Sequence, residues 1–198
     1  MTARVAAIFR RQVRGLVLVI GLVAAGGATV GASEFPLERL NDGGHVVMLR
    51  HARAPGTGDP EAFRLGDCAT QRNLDEEGRE QARRLGARLR AAGVASATVY
   101  SSQWCRCLET AVLLGLGPVE ELPALNSFYQ RPAEREPNLQ ALRAFLAKLP
   151  PDGPPVILVT HQVTIAAVTG RSVRSGSAVV LEANGTEQPG FLGTIQAG

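Results

Sequence analysis

Apolar positions recur along this chain with two different periods, and the places where the period changes outline its elements. "HVVMLR", His45–Arg50, is too short and too β-branched for a helix. Its unbroken apolar middle fits a strand buried on both faces. From Leu74, "LDEEGREQARRLGARLRAAG" puts Leu74, Ala82, Leu85 and Leu89 at helical spacing, with acids in the first turn and Gly93 at the end. "ATVY" reads as a second strand ending at Ser101 and Ser102, and "QWCRCLETAVLLG" returns to the helical period through Trp104, Cys107, Leu108, Ala111 and Leu114. "VEELPAL", 119–125, predicts a third strand, followed by an irregular stretch over 126–137 and a third helix in "NLQALRAFLAKL", 138–149. "PPDGPP" forces a turn. "VILVT" is another buried strand, "QVTIAAVTG" a short helix, and "SAVVLEA" and "FLGTIQA" are closing strands. Residues 52–73, polar and rich in Gly, Pro and Arg, form a loop. Strands alternating with helices predict an α/β class with a mostly parallel sheet covered on both faces.

The N-terminus breaks this pattern. Arg4, Arg10, Arg11 and Arg14 precede an apolar run of 15 residues, Leu16–Val30, and then the small residues Gly31, Ala32 and Ser33. Basic, apolar and small, in that order, marks a secretory signal peptide over 1–32, with cleavage after Ala32. The run is short of the roughly 20 residues that span a bilayer; an uncleaved anchor, extended by its flanks, is the alternative. A signal peptide predicts a periplasmic or secreted protein. It also changes the charge argument. The formal net charge of +3 includes the four leader arginines, and the remaining 17 basic and 18 acidic residues leave −1. A basic isoelectric point therefore gives no argument for a nucleic-acid partner. Residues 33–198 suit one domain with a full core.

Chemistry is expected beyond the carboxyl ends of the parallel strands, where loops meet helix N-termini. Three such ends carry unusual residues. The first strand leads into Arg50 and His51; the second into Ser101, Ser102 and, one turn into its helix, Arg106; "VILVT" leads into His161. Alone, each is explained by a solvated surface or a structural histidine. Two His and two Arg converging on one sheet edge point to an anion. Two guanidiniums grip phosphate oxygens through parallel charge-assisted hydrogen bonds, whereas the chain has a single lysine, Lys148. A neutral imidazole with its other nitrogen fixed as a donor can attack phosphorus. A second imidazole, if protonated, stabilises the transferring oxygens. No metal or other cofactor is needed for this chemistry.

Rival uses of these residues fit less well. His45 and His51 lie roughly 20 Å apart along a straight strand and cannot ligate one ion. Cys105 and Cys107 on a helix point to different sides, so a zinc site is not indicated. Ser101 and Ser102 lack the G-x-S-x-G context of a nucleophilic serine and are read as caps of the helix carrying Arg106.

"LRHA", "LDEEGREQARRLG", "YSSQWCRCLETA" and "VTHQ", in this order over about residues 45–170, resemble the histidine phosphatase (phosphoglycerate mutase-like) superfamily. The resemblance implies a three-layer α/β/α sandwich. It also implies that His51 is a nucleophile forming a phosphohistidine, and that Arg50, Arg106 and His161 complete the phosphate pocket. Two positions depart from the family pattern. Ala52 stands where Gly follows the first histidine, and Gln162 where the acid-phosphatase branch has Asp. The other branch takes its proton donor from the region after the third strand, which here offers Glu134 and Glu136; both remain candidates. Arg53, Arg64, Arg72, Arg131 and Arg135 lie in the two loops expected to overhang the site.

The three cysteines allow one intrachain bridge. Cys107 shares the apolar stripe of its helix, so it is expected buried and reduced. Cys105, on the flank, is left to meet Cys68 from the long loop. The resulting expectation is an exported, metal-independent phosphatase acting on a phosphate monoester, such as a phosphorylated small molecule or envelope sugar. A catalytically weak phosphate-binding or envelope interaction protein of the same fold is one alternative. A membrane-tethered phosphoprotein phosphatase is another.

Overall fold

The first strand is buried on both faces because alternate side chains enter two separate cores. Val47 and Leu49 join one with Val99, Ile157 and Val159, while Val46 and Met48 join the other with Val156, Leu158 and Val179. The computed structural model describes residues 33–197. The predicted signal peptide, 1–32, lies outside the described residues.

Six strands form one sheet: β1 (His45–Arg50), β2 (Thr98–Ser101), β3 (Val119–Glu121), β4 (Val156–Thr160), β5 (Ala178–Glu182) and β6 (Gly190–Ile195). Their spatial order is β3-β2-β4-β1-β5-β6. The pairings among β1–β4 are parallel, while β5 joins β1, and β6 joins β5, antiparallel. Helices α1 (Glu76–Ala91) and α2 (Cys105–Leu114) cover one face through Leu85, Leu89, Ala111 and Leu114. Helices α3 (Arg135–Leu146) and α4 (Gln162–Thr169) cover the other through Leu142, Leu146 and Ile165. The architecture is the expected α/β/α sandwich with a mostly parallel sheet.

Local chemistry sets the element ends. Asp75 caps α1 by accepting from the Gly78 amide at 2.8 Å. Gly86 lets α1 lie against α2: a Cβ there would sit 2.1 Å from the Leu114 carbonyl oxygen. At Gly78 a Cβ would meet the Arg53 carbonyl oxygen at 2.0 Å, so the missing side chain seats the loop that follows His51.

Two elements differ from the sequence expectation. The third strand stops at Glu121 and Pro123–Leu125 form a 3-10 turn, because Pro123 has no amide to continue the ladder. The third helix begins at Arg135 rather than Asn138. Pro137 falls in its first turn, where backbone amides have no intrahelical acceptor and proline costs nothing.

Candidate active site

The carboxyl ends of β1, β2 and β4 lie side by side, and the backbone locks the residues leaving them. The His51 amide donates to the Thr160 carbonyl at 3.0 Å and the Ser102 amide to the Val159 carbonyl at 2.9 Å. Arg50 pairs in register with Thr160. Beyond this edge is a cavity of ≈ 210 Å³ whose lining includes Arg50, His51, Asp59, Arg72, Arg106 and His161.

His51 is 3 % exposed. Its Nδ1 lies 2.8 Å from the Ala52 carbonyl oxygen; a carbonyl only accepts, so Nδ1 carries the hydrogen and Nε2 keeps its lone pair. Burial, followed by the Arg106 charge, lowers the imidazole from 6.5 to about 3. Ala52 suits its place. Its amide donates to Thr110 Oγ1, and its methyl packs in a small apolar cluster with Ala54, Leu74 and Ala82.

His161 is the N-cap of α4 and is buried at the wall of the cavity. Its Nε2 lies 2.9 Å from Ser102 Oγ, which donates onward to Asn126 Oδ1 at 3.1 Å. Since Ser102 has one hydrogen, Nε2 of His161 is the donor in this relay. Burial, then the neighbouring His51, Arg106, Arg72 and Arg50, keep His161 neutral well below 6.5. The His51 and His161 rings meet edge to face, with centroids 5.5 Å apart. Cys107 Sγ is 3.5 Å from the same Nε2, and burial pushes its thiol up to about 12, so it stays protonated.

Neither serine is the N-cap of α2, contrary to the sequence expectation, although Ser102 Oγ accepts from the Trp104 amide at 3.4 Å. Trp104 is the N-cap and makes no side-chain cap bond. Instead the Cys105 amide donates to Gln71 Oε1 at 3.0 Å, from the long loop. Cys68 and Cys105 form a disulfide next to this contact, and Cys107 is free and buried.

Arg50 donates through Nη1 to the Val173 carbonyl, and the Val173 amide donates to Gln162 Oε1. Gln162, one of the two departures from the family pattern, thus braces Arg50. Arg72 is half-buried, with Nε donating to the Gly58 carbonyl at 2.7 Å and Nη1 to that of Ala54. Of the other loop arginines, Arg53 pairs with Asp75 and Glu77, and Arg131 lies 4.7 Å over the Phe63 ring. Arg64 and Arg135 are exposed.

Glu134 and Glu136 are not brought to the cavity. They pair with Arg131 and Arg135, with side chains 45 % and 73 % exposed. The carboxylate that does reach it is Asp59, which the sequence reading missed. Its side chain is 8 % exposed and bridges Arg106 at 2.7 and 3.1 Å. Burial works to raise its carboxyl, but hydrogen bonds and charge from Arg106, with Trp104 and the Arg72 amide, hold it below the usual carboxylate value. One signal was available: an acid in a loop whose arginines were expected to overhang a cationic site.

The lowered imidazoles predict a stability profile. Below pH 6.5 the unfolded chain takes up protons that folded His51 and His161 refuse, so stability should fall from pH 6.5 toward about 3. The loss is up to about 1.4 kcal/mol per pH unit for each histidine. Asp59 adds a loss of the same sign only at lower pH, as it falls from 3.8 through the folded carboxyl's lowered value. Urea midpoints between pH 7 and 4.5 measure this slope; a flat profile would contradict two buried neutral imidazoles.

Comparison with known proteins agrees with this geometry. Residues 46–129 match the model of the histidine phosphatase superfamily (branch 1). No curated protein matches the chain. Among solved structures, the chain is similar to one assigned as the phosphohistidine phosphatase SixA of Nakamurella multipartitia, with 21% identity and TM-score 0.56, covering 77% of this chain and 95% of that one. It is similar to the protein histidine phosphatase SixA complexed with tungstate, with 16% identity and TM-score 0.54 over 77% and 97% of the two chains. It is also similar to a mycobacterial glucosyl-3-phosphoglycerate phosphatase in complex with VO3, with 20% identity and TM-score 0.53 over 75% and 96%.

Proposed function

We propose that this chain, which has the histidine phosphatase fold and matches that superfamily over residues 46–129, is a phosphatase working through a phosphohistidine on His51. The observation that carries the reading is the fixed, neutral His51 imidazole, whose Nδ1 is held by the Ala52 carbonyl at 2.8 Å in a cavity lined by three arginines. Nε2 forms a bond to phosphorus as the ester P–O bond breaks, and the leaving oxygen takes a proton from solvent water. Water then attacks phosphorus, the N–P bond breaks, and inorganic phosphate departs with the imidazole lone pair restored.

Charge matching supports a dianionic phosphate. Arg50, Arg72 and Arg106 against Asp59 give the cavity a net +2 when both histidines are neutral. These guanidiniums supply the positive charge that a metal supplies elsewhere, which supports metal-independent transfer. A bound dianion cancels this +2 and so removes the arginine charges' share in lowering His161, leaving burial to oppose a proton there.

The substrate class is a phosphate monoester on a small molecule or envelope sugar. An adjoining cavity of ≈ 300 Å³, with Phe63 stacked on Trp104 and Arg131 above them, suits the body of such a molecule. The basic and apolar leader supports export to the periplasm or beyond, and the Cys68–Cys105 disulfide fits an oxidising compartment.

A second reading has its own support. Glu134 and Glu136 lie away from the cavity, which favours a phosphate-binding protein with weak catalysis. The full chain, assayed with 4-nitrophenyl phosphate and phenyl phosphate in the presence of a chelator, decides between them, since the better leaving group needs little protonation and the poorer one needs it. Turnover inhibited by tungstate is expected. Tungstate binding without turnover would favour the second reading, and neither binding nor turnover would overturn both.

A further inference from the structure

We infer that Asp59 is a positioning residue that turns one particular edge of Arg106 toward the substrate phosphate and remains an ion throughout. This rests on the phosphate site proposed above. A guanidinium has five N–H groups in a plane, arranged as two forks that share Nη2. Asp59 occupies the end-on fork: Oδ1 accepts from Nη1 at 2.7 Å and Oδ2 from Nη2 at 3.1 Å. The remaining Nη1 hydrogen reaches the Arg72 carbonyl at 3.3 Å.

That leaves the side-on fork, Nε–H and the second Nη2–H, which point the same way. Arg106 is 3 % exposed, and its Nε is buried without a hydrogen-bond partner. A buried, unsatisfied donor is costly, and a phosphate with two oxygens on this edge removes the cost. Asp59 and the phosphate are therefore neighbours on one guanidinium, not competitors for it.

Asp59 is itself held from every side. Trp104 Nε1 donates to Oδ2 at 2.9 Å and the Arg72 amide to Oδ1 at 3.1 Å. The Gln130 side chain clasps its main chain, accepting from the Asp59 amide at 2.7 Å and donating to its carbonyl at 3.2 Å. Each carboxylate oxygen thus receives two donors, and the four acceptor positions are filled. A proton would have to displace one of them. Asp59 is built to accept, which separates it from the proton-donor role sought at Glu134 and Glu136.

The test uses Asp59→Asn in the full chain, with two aryl esters differing in leaving group, 4-nitrophenyl phosphate and phenyl phosphate. Misplacing Arg106 should slow both by the same factor, on the order of 100-fold, and leave the basic limb of the pH profile where it was. A loss concentrated on phenyl phosphate, with the basic limb removed, would make Asp59 the proton donor and overturn the inference. Unchanged rates would overturn it too. Binding of tungstate, followed by calorimetry, should weaken in Asp59→Asn. In the Arg106→Ala background the same change should have little further effect, because Asp59 acts through Arg106; an additive loss contradicts this. The binding arm stands even if the wild-type chain proves to have no turnover, so failure of the phosphatase reading is told apart from failure of this one. If Asp59→Asn does not fold, Gln130→Ala releases only the backbone clasp. It should weaken tungstate binding by a smaller factor, and full retention of affinity would count against the inference.

Discussion

His51→Ala is expected to eliminate both turnover and the covalent intermediate, a loss on the order of 10⁴-fold or more by analogy with removal of other nucleophiles. The imidazole leaves β1 on a backbone fixed to Thr160, and its Nδ1 is committed to the Ala52 carbonyl. Only Nε2 is free to attack. With wild-type chain and an aryl phosphate, rapid quenching without acid should trap a phosphate that is labile to acid and stable to base. Peptide mapping should place it on His51. Substantial turnover by His51→Ala at saturating substrate would sink the phosphohistidine mechanism.

Arg106→Ala should fail in two separable ways. The substrate loses a bidentate, charge-assisted grip, and roughly 100-fold in rate follows from losing about 3 kcal/mol of transition-state stabilisation. The fold loses as well. Asp59, with its side chain 8 % exposed, is left as a buried ion without its partner, and breaking such a pair typically costs about 3–5 kcal/mol. Urea denaturation should show this directly. The double variant Asp59→Asn with Arg106→Ala removes both ions and should recover much of the lost stability without recovering activity. Recovery of both, or of neither, would mean that the pair does not hold the two roles assigned to it. Arg106→Lys is not a conservative control, since an ammonium retains charge but cannot serve two forks at once.

Much of the architecture was legible because burial on both faces leaves a continuous apolar run, and the runs at 45–50 and 156–160 became β1 and β4 with the expected bounds. Residues at strand ends could be placed by the same logic. His51, Arg106 and His161 line one cavity because parallel strands bring their carboxyl ends to one edge. Proline breaks the pattern in two places. Pro123 turned the tail of a strand into a 3-10 turn, while Pro137 sat in a helical first turn that the sequence had left irregular.

Tertiary structure alone decided how the site is wired. Ser102 was read from its neighbours as a helix cap, yet its hydroxyl serves His161, 59 residues away. Asp59 lies in a loop without periodicity, and its importance depends on Trp104, Arg106 and Gln130, which reach it across 45 to 71 residues. Glu134 and Glu136 had the right chemistry and the wrong direction, because the start of α3 turns them to solvent beside arginines. Periodic burial is a local property, written along the chain in every turn and strand, and so the sequence by itself determined the layers, the sheet edge and the imidazole pair. The orientation of a guanidinium and the protonation of a carboxylate depend on which donors and acceptors meet within about 3 Å. Only the folded chain brings those groups together.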